Sequence, residues 1–201
     1  MKIIIRADAS IWIGSGHIMR CLVLAEYLKE QEHKIAFACL PQEGDLIDVI
    51  RQRGFDVIEL TRISSPLIPV DDKDYSAWLQ RSATEDAHDF IDKVGDADVV
   101  ISDHYAIGKS WQSIVRQALS CQIVAIDDLL REHDSELILD QTLGRQEDEY
   151  SPRKKVLAGT QYALLAADFG LFRELALDRV KSASRPKILV SMGGWMHQMP
   201  A

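Results

Sequence analysis

Lys2-Ile3-Ile4-Ile5-Arg6-Ala7-Asp8 leads through Ala9-Ser10-Ile11-Trp12-Ile13 into Gly14-Ser15-Gly16-His17, after which apolar residues recur at Ile18, Leu22, Ala25 and Leu28. A short β-branched run without interruption reads as a strand buried on both faces, and the spacing of three and four that follows is that of a helix packed along one side. Strand, glycine-containing loop and helix make the first half of a parallel crossover unit. In doubly wound sheets ligands bind where such a loop sits, at the carboxyl end of the strand. Gly14 and Gly16 allow backbone to come close to a ligand, and the free N–H groups of the helix start favour an anion. The third glycine of the dinucleotide fingerprint is absent, since Gly16 is followed by His17-Ile18-Met19, so a nicotinamide or flavin cofactor is disfavoured.

Working outward, the pattern repeats. Apolar runs of strand length fall at residues 35–39, 57–60, 99–102 and 123–126, with 137–139 as a further candidate, and helical periodicity covers 17–31, 45–53, 84–94 and 109–119. Alternating strands and helices predict an α/β fold with a parallel sheet, and Gly54 and Gly95 stand where helix C-caps belong. Residues 61–81 carry Pro66, Pro69, the run Asp71-Asp72-Lys73-Asp74 and the aromatics Tyr75 and Trp78 without a sustained period, which reads as a long functional loop. The polar stretch 145–155 marks the expected edge of the first domain, near 150. Residues 151–201 are then a connector, with a helical pattern over 168–180 and a strand-like Lys187-Ile188-Leu189-Val190-Ser191 running into Gly193-Gly194.

Three groups of polar residues follow predicted strands and so share one rim of the sheet. His17 is the first, and it reads either as a base that takes a proton from water or as a residue that only hydrogen-bonds its own loop. Ser102-Asp103-His104-Tyr105 is the second and Asp127-Asp128 the third. Asp103 reads equally as a cap and as a ligand-binding residue, whereas Asp128 reads as a cap. Asp8, Asp103 and Asp127 lack the tight spacing of a hard-metal site, and Gly14-Ser15-Gly16 is not the elbow of a serine hydrolase, so neither a metal nor that chemistry is expected.

A chain of 201 residues with 47% hydrophobic and 27% charged residues can fill one domain of ordinary size and part of another, and is not composed like a disordered protein. A net charge of −8 argues against a nucleic-acid partner. The apolar opening is too short for a secretion signal or membrane span, so a cytoplasmic location is expected, with no membrane partner. Cys21, Cys39 and Cys121 are widely spaced and read as small buried hydrophobes.

With these residues in view, Arg6-Ala7-Asp8-Ala9-Ser10 followed by Ile13-Gly14-Ser15-Gly16-His17-Ile18-Met19-Arg20-Cys21-Leu22 resembles the opening of the UDP-2,4-diacetamido-2,4,6-trideoxy-β-L-altropyranose hydrolases of pseudaminic acid biosynthesis. Further blocks are similar: Asp103-His104-Tyr105 with Trp111, Ile126-Asp127-Asp128-Leu129, Arg131 with His133-Asp134, Leu139-Asp140-Gln141, Tyr162-Ala163-Leu164-Leu165 and Ser191-Met192-Gly193-Gly194. The resemblance implies a Rossmann-like sheet of the two-domain nucleotide-sugar glycosyltransferase (GT-B) type. It implies a UDP-sugar as the small-molecule substrate, no cofactor or metal, and His17 as the base that activates water at the anomeric carbon. Arg6, Asp8, Gly14, Ser15, Gly16, Arg20, Asp103, His104 and Tyr105 would bind substrate. A glycosyltransferase of the same fold and a non-catalytic sugar-binding remnant are the alternatives, and oligomeric state stays open.

The sequence departs from the family twice. Leu164-Leu165-Ala166-Ala167-Asp168-Phe169 stands where the family continues Leu-Leu-Arg-Pro-Glu-Phe, and Trp195-Met196-His197-Gln198-Met199-Pro200-Ala201 matches nothing in it. Codons for Trp-Met-His-Gln-Met-Pro, read from the third base, can spell the family's Asp and Asn as Asp-Ala-Pro-Asn-Ala. The expectation is a frameshift that truncates the second domain, a chain inactive alone, and apolar residues of 162–190 left exposed.

Overall fold

The computed structural model describes residues 1–151 and 155–182. Seven parallel strands form one sheet in the order β3-β2-β1-β4-β5-β6-β7. They are β1 (Lys2–Ala7), β2 (Lys34–Cys39), β3 (Asp56–Glu59), β4 (Val99–Asp103), β5 (Gln122–Ile126), β6 (Leu137–Asp140) and β7 (Lys155–Ala158). The helices are α1 (Gly16–Glu30), α2 (Ile47–Gln52), α3 (Tyr75–Trp78), α4 (Ala83–Val94), α5 (Lys109–Leu119) and α6 (Ala167–Ser182). The sheet order reverses at β1, whose neighbours are β2 and β4, and this is the crevice where doubly wound folds bind ligands. The Rossmann-like α/β class expected from the sequence is the observed one.

Alternation along β1 explains the layers. Ile3 and Ile5 face a core built with Ile18, Cys21, Leu22 and Ala25 of α1, together with Phe37 and Ile50. Ile4 faces the opposite core, with Phe90 of α4, Trp111 and Val115 of α5, and Val100 and Ile123. Successive side chains of a strand point to opposite faces, so an uninterrupted apolar run is what a sheet covered on both sides requires. Gly54 and Gly95 have φ of +78° and +74°, as helix-ending glycines should. A capping box starts α4, where Ser82 and Glu85 each accept the other's backbone N–H.

The sheet runs past residue 150, where the domain edge was expected. β7 pairs with β6 in the register Leu137↔Lys155 to Asp140↔Ala158, and Tyr162 and Leu164 pack against the α1-side core. Most of the 61–81 loop has no regular structure, but Asp74 accepts the Ala77 N–H and starts the one-turn α3. On α6, Phe169, Leu171, Phe172, Leu175 and Leu177 are exposed. The strand-like 187–191, Gly193-Gly194 and the terminal Trp195 to Ala201 lie outside the described residues.

One buried side chain of β1 breaks the apolar rule. Arg6 has no exposed surface, and its guanidinium donates from Nη1 to Asp8 Oδ1 at 2.6 Å, from Nε to Asp86 Oδ1 at 3.1 Å and from Nη2 to Asp86 Oδ2 at 2.8 Å. Trp111 Nε1 adds a bond to Asp86 Oδ1 at 2.9 Å. Burial acts to raise the Asp86 carboxyl, but the charge and hydrogen bonds of Arg6 outweigh it and hold the group below the ordinary carboxylate range. Removing one member of a buried pair strands the other's charge. Asp86→Ala should therefore cost about 3–5 kcal/mol of stability, read as a shift in urea midpoint, and a loss below about 1 kcal/mol would show that Arg6 finds solvent when released.

Candidate active site

His17, Arg20 and Cys21 are spaced by three and four residues, which puts them on one face of α1. That face meets the carboxyl end of β4. Asp103, the last residue of β4 and fully buried, receives all three: His17 Nδ1 lies 2.7 Å from its Oδ1, Arg20 Nε and Nη2 donate to Oδ2 and Oδ1 at 2.6 Å each, and Cys21 Sγ donates to Oδ2 at 3.3 Å. Burial would raise this carboxyl, but the hydrogen bonds of His17 and the charge and hydrogen bonds of Arg20 prevail and hold it well below the usual range. Asp103 is thus an ionised acceptor. Burial and the adjacent Asp103 push the Cys21 thiol up, so it stays protonated as a donor.

An ionised acceptor fixes the imidazole's tautomer. Arg20 Nη2 also lies 3.3 Å from His17 Nδ1, but it could donate there only if Nδ1 carried a lone pair, which would then face Asp103 Oδ1 at 2.7 Å. The consistent arrangement has Nδ1–H donating to Asp103. In the neutral imidazole the lone pair then sits on Nε2, for which no hydrogen-bond partner is seen among the described residues; the His17 side chain retains 7% exposure. This is the orientation a general base needs.

Around it, Arg20 Nη1 reaches Asp128 Oδ2 at 2.8 Å, and Tyr105 donates its hydroxyl hydrogen to the same oxygen at 2.7 Å. The Tyr105 ring meets His17 edge-on, with centroids 4.7 Å apart. Tyr75 and Trp78 of α3 pack on the other parts of Tyr105, at 5.0 Å and 5.8 Å between centroids. The long loop therefore reaches the His17 cleft through aromatic contact. Arg131, anchored by Asp127, donates from Nη1 to the carbonyl oxygens of His104, Tyr105 and Ile107 at 3.2, 2.7 and 2.8 Å, and so sets the turn that carries Tyr105.

Of the residues singled out in the sequence, the structure brings His17, Arg20, Asp103 and Tyr105 into contact and places the others differently. Arg6 and Asp8 are sealed beneath the sheet end and offer no accessible surface to a ligand, because Arg6 is spent on Asp8 and Asp86 and Asp8 Oδ1 accepts from Arg6 and from Leu40 N–H. His104 is also buried; its Nδ1 accepts from Ala106 N–H at 3.0 Å, and burial and Arg6 hold it neutral. Gly14 adopts φ +76°, and its N–H bonds Ser10 O at 2.8 Å. Ser15 is the N-cap of α1 without a side-chain capping bond, and Gly16 is exposed with open space at its Cβ position. Asp128 is no cap but part of the Arg20 and Tyr105 network; the capping falls to Asp127, which accepts from Leu129 and Arg131 N–H. Sequence reasoning did not single out Tyr150, whose hydroxyl bonds Asp127 at 3.2 Å and Asp140 at 2.8 Å across two strand ends. Among the described residues no group of three or more His, Cys, Asp or Glu side chains converges as metal ligands.

Compared with known proteins, the chain is 28% identical, over 96% of its length, to the UDP-2,4-diacetamido-2,4,6-trideoxy-β-L-altropyranose hydrolase of Campylobacter jejuni subsp. jejuni serotype O:2. This chain resembles a nucleotide-sugar hydrolase. It spans 61% of that relative's length. Among solved structures, Acinetobacter baumannii MurG aligns with a TM-score of 0.45 and 12% identity, covering 78% of this chain and 44% of MurG. No family model matches. Among the described residues no helix is long and apolar enough to cross a membrane.

Because Asp103 is ionised in the fold far below the pH at which it would protonate in an unfolded chain, its pairing contributes stability that is present above the ordinary carboxylate range and lost as pH falls through the folded-state value. The stability gap between the parent and Asp103→Asn should accordingly be widest near neutral pH and narrow in strong acid. Urea titrations across that range check this; a gap independent of pH would mean the carboxylate's charge is not what the clasp uses.

Proposed function

We propose that the chain carries the catalytic base of a UDP-sugar hydrolase, with a UDP-linked diacetamido-trideoxy-hexose as substrate. The observation that carries the reading is the Asp103–His17 pair, 2.7 Å apart, with Nε2 of His17 left to accept a proton. Water held against Nε2 attacks the anomeric carbon from the face opposite the nucleotide, and the proton passes to His17. The carbon–oxygen bond to the diphosphate breaks with its electron pair going to UDP, so the sugar is released with inverted configuration. A diphosphate is a good leaving group, which makes a separate general acid less necessary than in an ordinary glycoside.

The other groups have distinct parts. Asp103 holds the productive tautomer; its charge is already shared with Arg20, so orientation is its main contribution. Arg20 and Tyr105, tied together through Asp128, line the cleft as polar and aromatic contacts for the sugar. The exposed start of α1 at Gly16 suits a phosphate oxygen. Similarity to the Campylobacter jejuni hydrolase supports the substrate class, and the GT-B arrangement remains part of the proposal.

UDP release from the UDP-linked sugar in the absence of any acceptor is the direct test, and it separates hydrolysis from glycosyl transfer. His17→Ala should lower kcat by roughly 10²- to 10⁴-fold with a far smaller change in KM. Asp103→Asn should fall by a similar order, because an amide facing Nδ1 favours the tautomer whose Nε2 is already protonated. Turnover within a few-fold of the parent in both variants would make the pair structural.

A further inference from the structure

A cavity of about 350 Å³ lies beside the loop that follows β1, walled by Ile11, Trp12, Leu40, Pro41, Leu67 and Ile68. Segments distant in sequence build it, and each wall is fastened. Ile11 N–H donates to Glu43 O at 2.9 Å, and Ser10 Oγ accepts the N–H groups of Trp12 and Ile13 at 3.2 Å each. Gly44 has φ +75°, and a Cβ there would come within 2.8 Å of Ile11 Cγ2 and 3.0 Å of Ile11 N, so only glycine lets these two loops meet. The long loop is held by buried Gln80: its Oε1 accepts Leu67 N–H at 2.6 Å, and its Nε2 donates to Leu67 O at 2.9 Å and Ala77 O at 2.7 Å. A primary amide that closes both bonds of one residue acts like a neighbouring strand and fixes Leu67 as a wall.

The chemistry on offer is lopsided. Ile11, Leu67 and Ile68 keep 41%, 49% and 73% of their surface exposed, which makes an apolar surface for a ligand to cover. Polar groups are few and mostly engaged. The Gln80 amide is spent on Leu67 and Ala77, and Gln42 Nε2 donates to Trp78 O at 3.3 Å. Gln42 Oε1, the Glu43 carboxylate, the Ser10 hydroxyl hydrogen and the Trp12 indole N–H remain, so acceptor oxygens still outnumber donors. A chain of contacts links the cavity to the His17 site: Ser10 stands in the loop that leads to His17, and Gln42 bonds the carbonyl of Trp78, whose ring stacks on Tyr105.

Resting on the reading of the preceding subsection, we infer that this cavity is the specificity pocket for the N-acylated, deoxygenated edge of the hexose. The acetamido methyl groups and the C6 methyl lie against the apolar walls, and amide N–H groups donate to Gln42 Oε1 or Glu43. A hydroxyl-rich hexose of the same size would bury hydroxyls without partners, and the pocket discriminates against it for that reason. The pocket thus selects by what the sugar lacks.

Saturation-transfer NMR on the full chain with the UDP-linked diacetamido-trideoxy-hexose tests this. Saturation should reach the acetamido and C6 methyl protons. Leu67→Asp and Ile68→Asn, both at largely exposed positions, should each weaken binding by at least about 10-fold without lowering the melting temperature, and UDP-N-acetylglucosamine should bind weaker than the deoxy sugar by a similar factor. Methyl protons that receive no saturation, parent-like binding in both variants, or equal binding of UDP-N-acetylglucosamine would each overturn the assignment. UDP release separates the two readings. If methyl saturation disappears in both variants while the parent releases no UDP, the pocket stands and the hydrolase falls; UDP release with unchanged KM in both variants would do the reverse.

Discussion

A buried carboxylate at the end of β4 organises this rim of the sheet. Asp103 has no exposed surface and could not keep its charge there alone. Its partners come from one face of α1, so neutralising the charge also docks the helix against the strand and sets how its N-terminal turn is placed. His17 is oriented as a by-product of that requirement. The same logic operates at the end of β1 and on the opposite face, where Arg6 is neutralised by Asp8 and Asp86. It recurs at the ends of β5 and β6, where Asp127 and Asp140 are shared by Tyr150 and balanced by Arg131 and Arg145. Ion pairs of this kind add little net stability over apolar packing, but they tolerate few alternative arrangements. They define which loops face each other across the crevice.

Much of the sheet was legible because a strand buried on both faces must be apolar throughout. The runs at 35–39, 99–102 and 123–126 needed nothing else. β7 was not, since Lys155-Val156-Leu157-Ala158 is short, follows a charged stretch and is recognisable only by its pairing with β6. Its polar approach looks like a domain edge, while what decides membership of the sheet is hydrogen bonding to a strand already in place.

The site was legible to the extent that it is local. His17, Arg20 and Cys21 share a helix face by spacing alone, and the position of Asp103 after an apolar run places it on the same rim. Asp128 reads as a cap in sequence because its partners are Arg20, separated by 108 residues, and Tyr105, separated by 23. Arg6 and Asp8 read as ligand contacts because sequence shows that they adjoin the rim, but not that Asp86 in α4 consumes Arg6. The long loop's aromatics signalled function, whereas the Gln80 clamp that turns part of that loop into a cavity wall rests on a side-chain contact no periodicity reports.

The placement of β1 inside the sheet has a bearing on how the protein is made. β1 is synthesised before both of its neighbours, needing β2 on one side and β4 on the other, and β4 begins only at Val99. At cellular rates the interval between the two is on the order of ten seconds, during which Ile3, Ile4 and Ile5 have an unpaired backbone edge and one uncovered face. Parallel pairing over such separations is slow to close. For this nascent chain the hazardous period is therefore the interval between β1 and β4, and the hydrophobic strand that gives the finished sheet its centre is the segment a chaperone would have to shield.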